Sequence, residues 1–241
     1  MEARTSIIKK RLAKINRIIA IASGKGGVGK SMISSNLALS LANQGNKVGL
    51  LDLDLYGPSS HIILNIHDVF PKEDNGIIPP KVHNIDFMSI VYFTEDKPAP
   101  FRGIDITNII IELLAITRWE DLDYLIIDLP PGIGEETLDI IRFIPRCEFL
   151  VITTPSKVAL AAVEKLLTIL KEMNLPIIGV IENMVMHPNS VIKNALTKQR
   201  IHYLGQIPYD HKLEESLGKP NILLKTDFST TLQLLSADII S

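Results

Sequence analysis

Residues 17–31 read RIIAIASGKGGVGKS, and the order strand, glycine loop, helix in that stretch decides the fold. The isoleucine-rich run reads as a buried strand, residues 24–31 fit G-x-x-x-x-G-K-[ST], and a helical pattern starts at Lys30. The motif signifies a phosphate site only between a strand and a helix, and that is its setting here. Gly24, Gly26, Gly27 and Gly29 let the backbone curl so that successive N–H groups, Val28 included, point inward, while the positive end of the following helix faces the anion. Lys30 is expected to reach the β- and γ-phosphates of a nucleotide and Ser31 to ligate magnesium, with Met32 closing the nucleotide-binding segment.

On either side, short apolar runs recur at 17–22, 47–52, 85–90, 124–129, 149–153, 177–182 and 202–207. Helical patterns occupy 30–43, 105–118, 135–144, 156–173, 211–217 and 229–240. Such alternation predicts an α/β protein of the P-loop NTPase class, a single domain with a doubly wound, mostly parallel sheet flanked by helices. The long irregular pieces are 65–84, 94–103 and 184–200.

Two strand ends carry carboxylates. YLIID ends in Asp128 before LPPGIGE, where a buried terminal carboxylate suits a magnesium-bound water. LLDLDLYGPS places Asp52 and Asp54 two residues apart, hence on one side of an extended chain, and one of them can orient the attacking water.

The chain has 241 residues, 25 Lys and Arg against 27 Asp and Glu, a net charge of −2 and one cysteine. Near-neutrality argues against a surface built wholly for nucleic acid. One cysteine excludes an internal disulfide, a four-cysteine zinc site and any Cys-x-x-Cys pair within the chain. No run approaches the ~20 apolar residues of a membrane span, and the N-terminus lacks the apolar core of a signal peptide, so a cytoplasmic location is expected. Residues 1–17 hold six basic side chains against Glu2 alone, a net of +5, and Ile8, Leu12, Ile15 and Ile19 recur at helical spacing. This predicts a basic N-terminal helix or arm ahead of a domain spanning 18–241. It either docks with a solvated basic face or reaches a membrane or nucleic acid.

From Ile18 to about Lys219 the chain resembles the Mrp/ApbC iron–sulphur carrier ATPases, in the deviant-Walker-A group with MinD, ParA and nitrogenase iron protein. The resemblance rests on ASGKGGVGKS, LANQGNKVGLLDLDLYGPS, FRGI, WEDLDYLIIDLPPGIGE, VITTPSKVAL, LPIIGVIENM and LGQIPYD, in order and at matching spacing. It implies an ATP-hydrolysing homodimer with ATP and magnesium as cofactors. It also implies that Lys25 crosses to the partner's phosphates as a lysine supplied in trans. By the same resemblance Lys30 and Asp54 are catalytic, Asp54 lies near the water and the metal, Asp128 is the magnesium-side carboxylate, and Asn183 contacts adenine with Pro208 and Asp210 nearby. The guanine-reading N-K-x-D is absent, the nearest string being TKQR at 197–200, which indicates ATP rather than GTP.

One departure stands out. The family carries a CPxC pair after ENM, bridging an iron–sulphur cluster across the dimer. Here the stretch reads VMHPNSVIKN, with His187 and Ser190 near where the cysteines would fall, and the lone Cys147 in IPRCEF reads as a small buried apolar residue. The expected function is a nucleotide-driven switch in iron–sulphur cluster assembly or transfer, serving an apo-protein client but without the usual cluster ligands. The alternative is a positioning ATPase that binds membrane or DNA as its ATP dimer. No strong nucleic-acid or membrane signal accompanies it: the C-terminal STTLQLLSADIIS has no Lys or Arg, and only the basic N-terminal segment speaks for this reading.

Overall fold

The structure is a computed structural model that describes residues 2–55, 57–94, 104–132, 134–187 and 191–240. In chain order the elements are α1 (Glu2–Leu12), β1 (Ile15–Ser23), α2 (Lys30–Asn43), β2 (Val48–Asp52), α3 (Ser60–Ile63), β3 (Lys72–Glu73), β4 (Ile77–Ile78), β5 (Lys81–Val82), β6 (Ile85–Ser89) and α4 (Val91–Thr94). They continue as α5 (Ile104–Ile116), β7 (Leu122–Asp128), α6 (Glu135–Phe143), β8 (Glu148–Thr153), α7 (Lys157–Glu172), β9 (Ile177–Val185), α8 (Val191–Lys198), β10 (Tyr203–Pro208), α9 (Pro220–Leu223) and α10 (Asp227–Ile240).

Eight strands form one sheet in the order β10-β9-β8-β1-β7-β2-β6-β5, parallel throughout except for β5 at the edge. Strand β1 is central because the chain first winds outward through β2 and β6, then returns to insert β7 between β1 and β2 and lays β8, β9 and β10 on the other side. The crevice at such a reversal, beyond the carboxyl ends of the strands, is where open α/β sheets bind ligands.

Alternation along β1 feeds two core layers. Ile18, Ala20 and Ala22 face the layer that includes α1, α5, α6, α7 and α8; Ile19 and Ile21 face the one that includes α2, α3, α9 and α10. A strand buried on both faces must be apolar at every position, which is why IIAIA is continuous rather than alternating.

Several expectations need correction. Residues 211–217 contain only the 3-10 turn Glu214–Ser216, too short to nucleate an α-helix before Gly218 and Pro220 interrupt it. The stretch 184–200 is not wholly irregular: α8 buries Ile192 and Leu196, one turn apart, against the sheet. Residues 65–84 hold the β3–β4 hairpin and β5. Residues 95–103, with most of FRGI, and Ser190 lie outside the described residues.

The basic N-terminal segment is helical only as far as Leu12. Ile8 and Leu12 are buried against α5 and α6, whereas Ile15 and Ile19 enter the core from β1. Arg17 bonds Glu148 through Nε at 3.0 Å, and Arg146 donates to the Ile15 carbonyl at 2.8 Å, so the junction of helix and strand is tied to β8 and the turn before it. Ile8 has no exposed surface, and Ile8→Ala should lower unfolding stability by about 2–4 kcal/mol, read as a shift in the urea midpoint at unchanged m-value.

Candidate functional site

The phosphate loop joins the carboxyl end of β1 to the first turn of α2. Gly27 (φ 75°) and Gly29 (φ 83°) adopt left-handed backbone that residues with a side chain rarely tolerate. At Gly29 a Cβ would also come within 2.4 Å of Asn183 Nδ2. Gly24 serves a different need: a Cβ there would stand 2.5 Å from the Ala162 carbonyl carbon, so this glycine lets the loop pass against α7. No side chain caps the N-terminus of the 14-residue α2, leaving its first-turn N–H groups directed at the loop without that competitor.

The loop borders a cavity of about 240 Å³ lined by Lys25, Gly26 through Met32, Asp54, Ser59, Ile63 and Pro131, with Ser23 at its floor. Lys25, Ser31 and Asp54 are half-buried, within reach of a bound ligand. Lys30 is 6% exposed and turns its Nζ onto Asp128 Oδ1 at 2.8 Å. Asp128 is fully buried; Ser34 Oγ donates to the same oxygen at 2.9 Å, while Oδ2 has no hydrogen bond.

Strand register creates this cluster. On paired strands Asp52 faces Asp128, and Ile21 of β1 faces Asp128 from the other side. Two buried carboxylates side by side cannot both ionise cheaply. Burial first, and the charge of Asp128 second, push the Asp52 carboxyl up to about 7. Asp52 accepts the Asp54 N–H at 3.1 Å and the Ser60 N–H at 3.2 Å. Asp52 and Asp54 therefore do not lie along one extended chain. β2 ends at Asp52, the backbone turns over its carboxylate, and only Asp54 reaches the cavity.

Asn183 lies beneath the loop, 2% exposed, and donates through Nδ2 to the Val28 carbonyl at 2.9 Å. Pro208 ends β10 opposite Val185, and Asp210 spends both oxygens on backbone, accepting from Lys212 N at 2.9 Å and Phe228 N at 3.3 Å. None of these three lines the loop cavity. Ser34 and Ser59 carried no motif signal, although Ser34, one turn after Lys30, faces the buried side of α2.

An uncapped helix N-terminus, a loop with left-handed glycines and a lysine fit an anionic phosphate group. The unbonded Asp128 Oδ2, with the Ser31 hydroxyl and Asp54, offers the oxygen donors that suit magnesium. The soft-ligand side is different. Cys147 is fully buried, burial pushes its thiol far up, and it has no cysteine neighbour. His187 is exposed, and among the described residues no group of three His, Cys, Asp or Glu side chains is arranged to hold a metal ion.

Comparison with known proteins agrees with this geometry. Residues 14–240 match the ParA family model described as NUBPL iron-transfer P-loop NTPase. The iron–sulphur cluster carrier protein of Pseudomonas fragi is 40% identical over 230 residues, covering 88% of this chain and 80% of that protein. A nucleotide-binding protein from Archaeoglobus fulgidus, solved with ADP, superposes with a TM-score of 0.78 at 30% identity over 94% of this chain and 95% of that one. The septum site-determining protein MinD of Pyrococcus horikoshii has the same fold, with a TM-score of 0.70 at 22% identity over 92% and 95% of the two chains.

The Asp52 carboxyl gives a signed test. Between the ordinary carboxylate value and about 7 the folded protein holds a proton that the unfolded chain has released, so stability falls as pH rises through that window. Melting the nucleotide-free protein at pH 5 and pH 8 should show a loss at the higher pH that is smaller in Asp52→Asn.

Proposed function

The chain belongs to the ParA-group NUBPL iron-transfer P-loop NTPases, the family of the iron–sulphur cluster carrier proteins, and from that membership we propose an ATP-driven switch that hydrolyses ATP as a homodimer. The observation that carries the reading is the glycine loop on the uncapped N-terminus of α2, with Lys25, Lys30, Ser31 and Asp54 bordering one cavity and Asp128 beneath it.

In this reading the loop N–H groups and the α2 terminus bind the phosphates. Lys30 exchanges its contact with Asp128 for the β- and γ-phosphates, and Ser34 then holds the Asp128 oxygen that Lys30 releases. Ser31, Asp54 and Asp128 would hold magnesium, directly or through water, and the metal would supply charge neutralisation on the phosphates. Asp54, half-buried beside the loop, accepts a hydrogen bond from the attacking water and orients it. Asn183 keeps Oδ1 free to accept from an exocyclic amino group while Nδ2 stays on Val28, which supports adenine over guanine; Pro208 and Asp210 serve as wall rather than as polar contacts. Lys25 completes the charge on the γ-phosphate of the opposite protomer, so hydrolysis waits for dimer closure.

The cargo role is narrower than the family's. A bridging cluster needs accessible thiolates, and the only cysteine of this chain lies in the core. We therefore read the protein as the nucleotide-dependent element of iron–sulphur transfer, acting on a client or partner that supplies the cluster ligands. The positioning alternative drew its support from the basic N-terminus, and α1 is packed through Ile8 and Leu12 instead of standing clear of the domain.

Two measurements test this. Phosphate release should fall at least about tenfold in Lys25→Ala with ATP binding retained, as for a cation supplied in trans, and equal rates would remove the trans-lysine step. Reconstitution with ferrous iron and sulphide under reducing conditions should leave the protein without the visible absorbance of a cluster. A stable cluster on the isolated chain would overturn the assignment of cargo ligands to a partner.

A further inference from the structure

The amino ends of the strands carry a second feature that nucleotide chemistry does not use. Lys14 immediately precedes β1, Lys47 precedes β2 and Asp121 precedes β7, and together with α1 they surround a cavity of about 500 Å³. Strand β1, nine residues long, separates this base from the phosphate loop by about 30 Å. A second cavity of about 400 Å³, lined by Val69, Phe70, Lys72, Ile78, Pro79 and Pro80, adjoins it, the two sharing Lys81, Asp86, Arg118 and Glu120.

The charges in this groove are unbalanced. Lys14 pairs with Asp121 at 3.2 Å, Lys81 with Asp86 at 3.2 Å and Arg118 with Asp74 at 2.7 Å. The side chains of Lys10, Arg11, Lys47 and Lys72 make no ion pair among the described residues, the only carboxylate contact being the Lys47 backbone N–H to Asp123 at 2.8 Å, and the one lining acid left over is Glu120. In a chain whose net charge is −2, that leaves a local positive excess. Arg11 is held in place: Nε donates to the Ala115 carbonyl at 3.1 Å and Nη2 to the Asn75 carbonyl at 2.8 Å. Gly76 lies between Arg11 and Arg118, where a Cβ would come within 2.9 Å of one and 3.0 Å of the other. Carbonyl partners fix a guanidinium without neutralising it, so its charge stays available to a ligand.

The apolar end is distinctive as well. Phe70 is 69% exposed beside Val69, Pro79 and Pro80, and its ring stands 6.5 Å from that of Tyr92.

We infer that this groove docks an acidic peptide segment of a partner protein, its carboxylates against Lys10, Arg11, Lys47 and Lys72 and an apolar side chain against Phe70 and the two prolines. With Asp86 and Asp121 held in ion pairs, the free cations can meet an anion, and the concave groove with an apolar pocket beside them suits a peptide carrying carboxylates and an apolar side chain better than a duplex or a lipid surface. The basic N-terminal segment thus acquires a role: Ile8 and Leu12 anchor α1, and Lys10, Arg11 and Lys14 face the groove.

The test uses the full chain and a short fluorescein-labelled peptide of alternating Glu and Asp around a central Phe, read by fluorescence anisotropy. Saturable binding that weakens with salt is expected. It should be about tenfold weaker for the Gln/Asn version of the peptide and for Lys10→Glu/Lys47→Glu, about threefold weaker for Phe70→Ser, and accompanied by unchanged ATP hydrolysis. Lys10→Ala/Lys47→Ala, which introduces no repulsion, should weaken binding in the same direction if the reversal variant fails to fold. Absence of saturable binding, equal affinity for the Gln/Asn peptide, or indifference to both double variants would overturn the inference. So would tighter binding of labelled oligo(dT) or of phosphatidylglycerol vesicles than of the acidic peptide.

Discussion

A lysine buried to 6% exposure needs an anion within reach, and Lys30 has one in Asp128 at 2.8 Å. Removing one partner of such a pair costs about 3–5 kcal/mol, because the other charge is left desolvated and alone. The architecture above the sheet follows from keeping that pair together. β7 must lie beside β1 for Asp128 to stand under the loop, and α2 must begin where Lys30 can turn inward. In the proposed function this is the contact that phosphate oxygens would replace, since they offer Lys30 what Asp128 offers. The ion pair thus ties the start of α2 to the carboxyl end of β7 and holds the loop in shape.

Around that pair the glycines divide the labour. Gly27 and Gly29 supply left-handed backbone, Gly24 supplies proximity to α7, and Asn183 fastens the loop from below through the Val28 carbonyl. The loop is therefore preorganised by contacts to two elements distant in sequence, α7 and β9, and its N–H groups need little rearrangement to meet an anion. Asp52 contributes by capping the backbone that carries Asp54, which separates two carboxylates that look equivalent in the chain.

At the opposite end of the sheet the constraint is electrostatic. Strand starts bring Lys14, Lys47 and Asp121 together, and α1 adds Lys10 and Arg11 to a concave surface whose acids are mostly committed to ion pairs. The phosphate loop thus stands at one end of the sheet and a concave, positively charged surface at the other.

The sequence by itself determined the fold class, the phosphate loop and the identity of its groups, because strand apolarity, loop glycines and the lysine–serine pair are local demands that each residue meets with its own chemistry. The principal strands were readable from IIAIA, YLIID and FLVIT for that reason. Helix α8 was not, since only the sheet beneath it tells Ile192 and Leu196 apart from loop residues, and the 3-10 turn at Glu214–Ser216 imitates a helix until its flanks are seen. Spacing left Asp52 and Asp54 equivalent and only the resemblance favoured Asp54; tertiary structure supplied the reason, the turn over the Asp52 carboxylate, and alone decided that Gly24 is a packing glycine and that the N-terminal lysines border a groove. Those outcomes depend on which strands are neighbours and in what register, and pairing between residues a hundred positions apart leaves no periodic trace in a single chain.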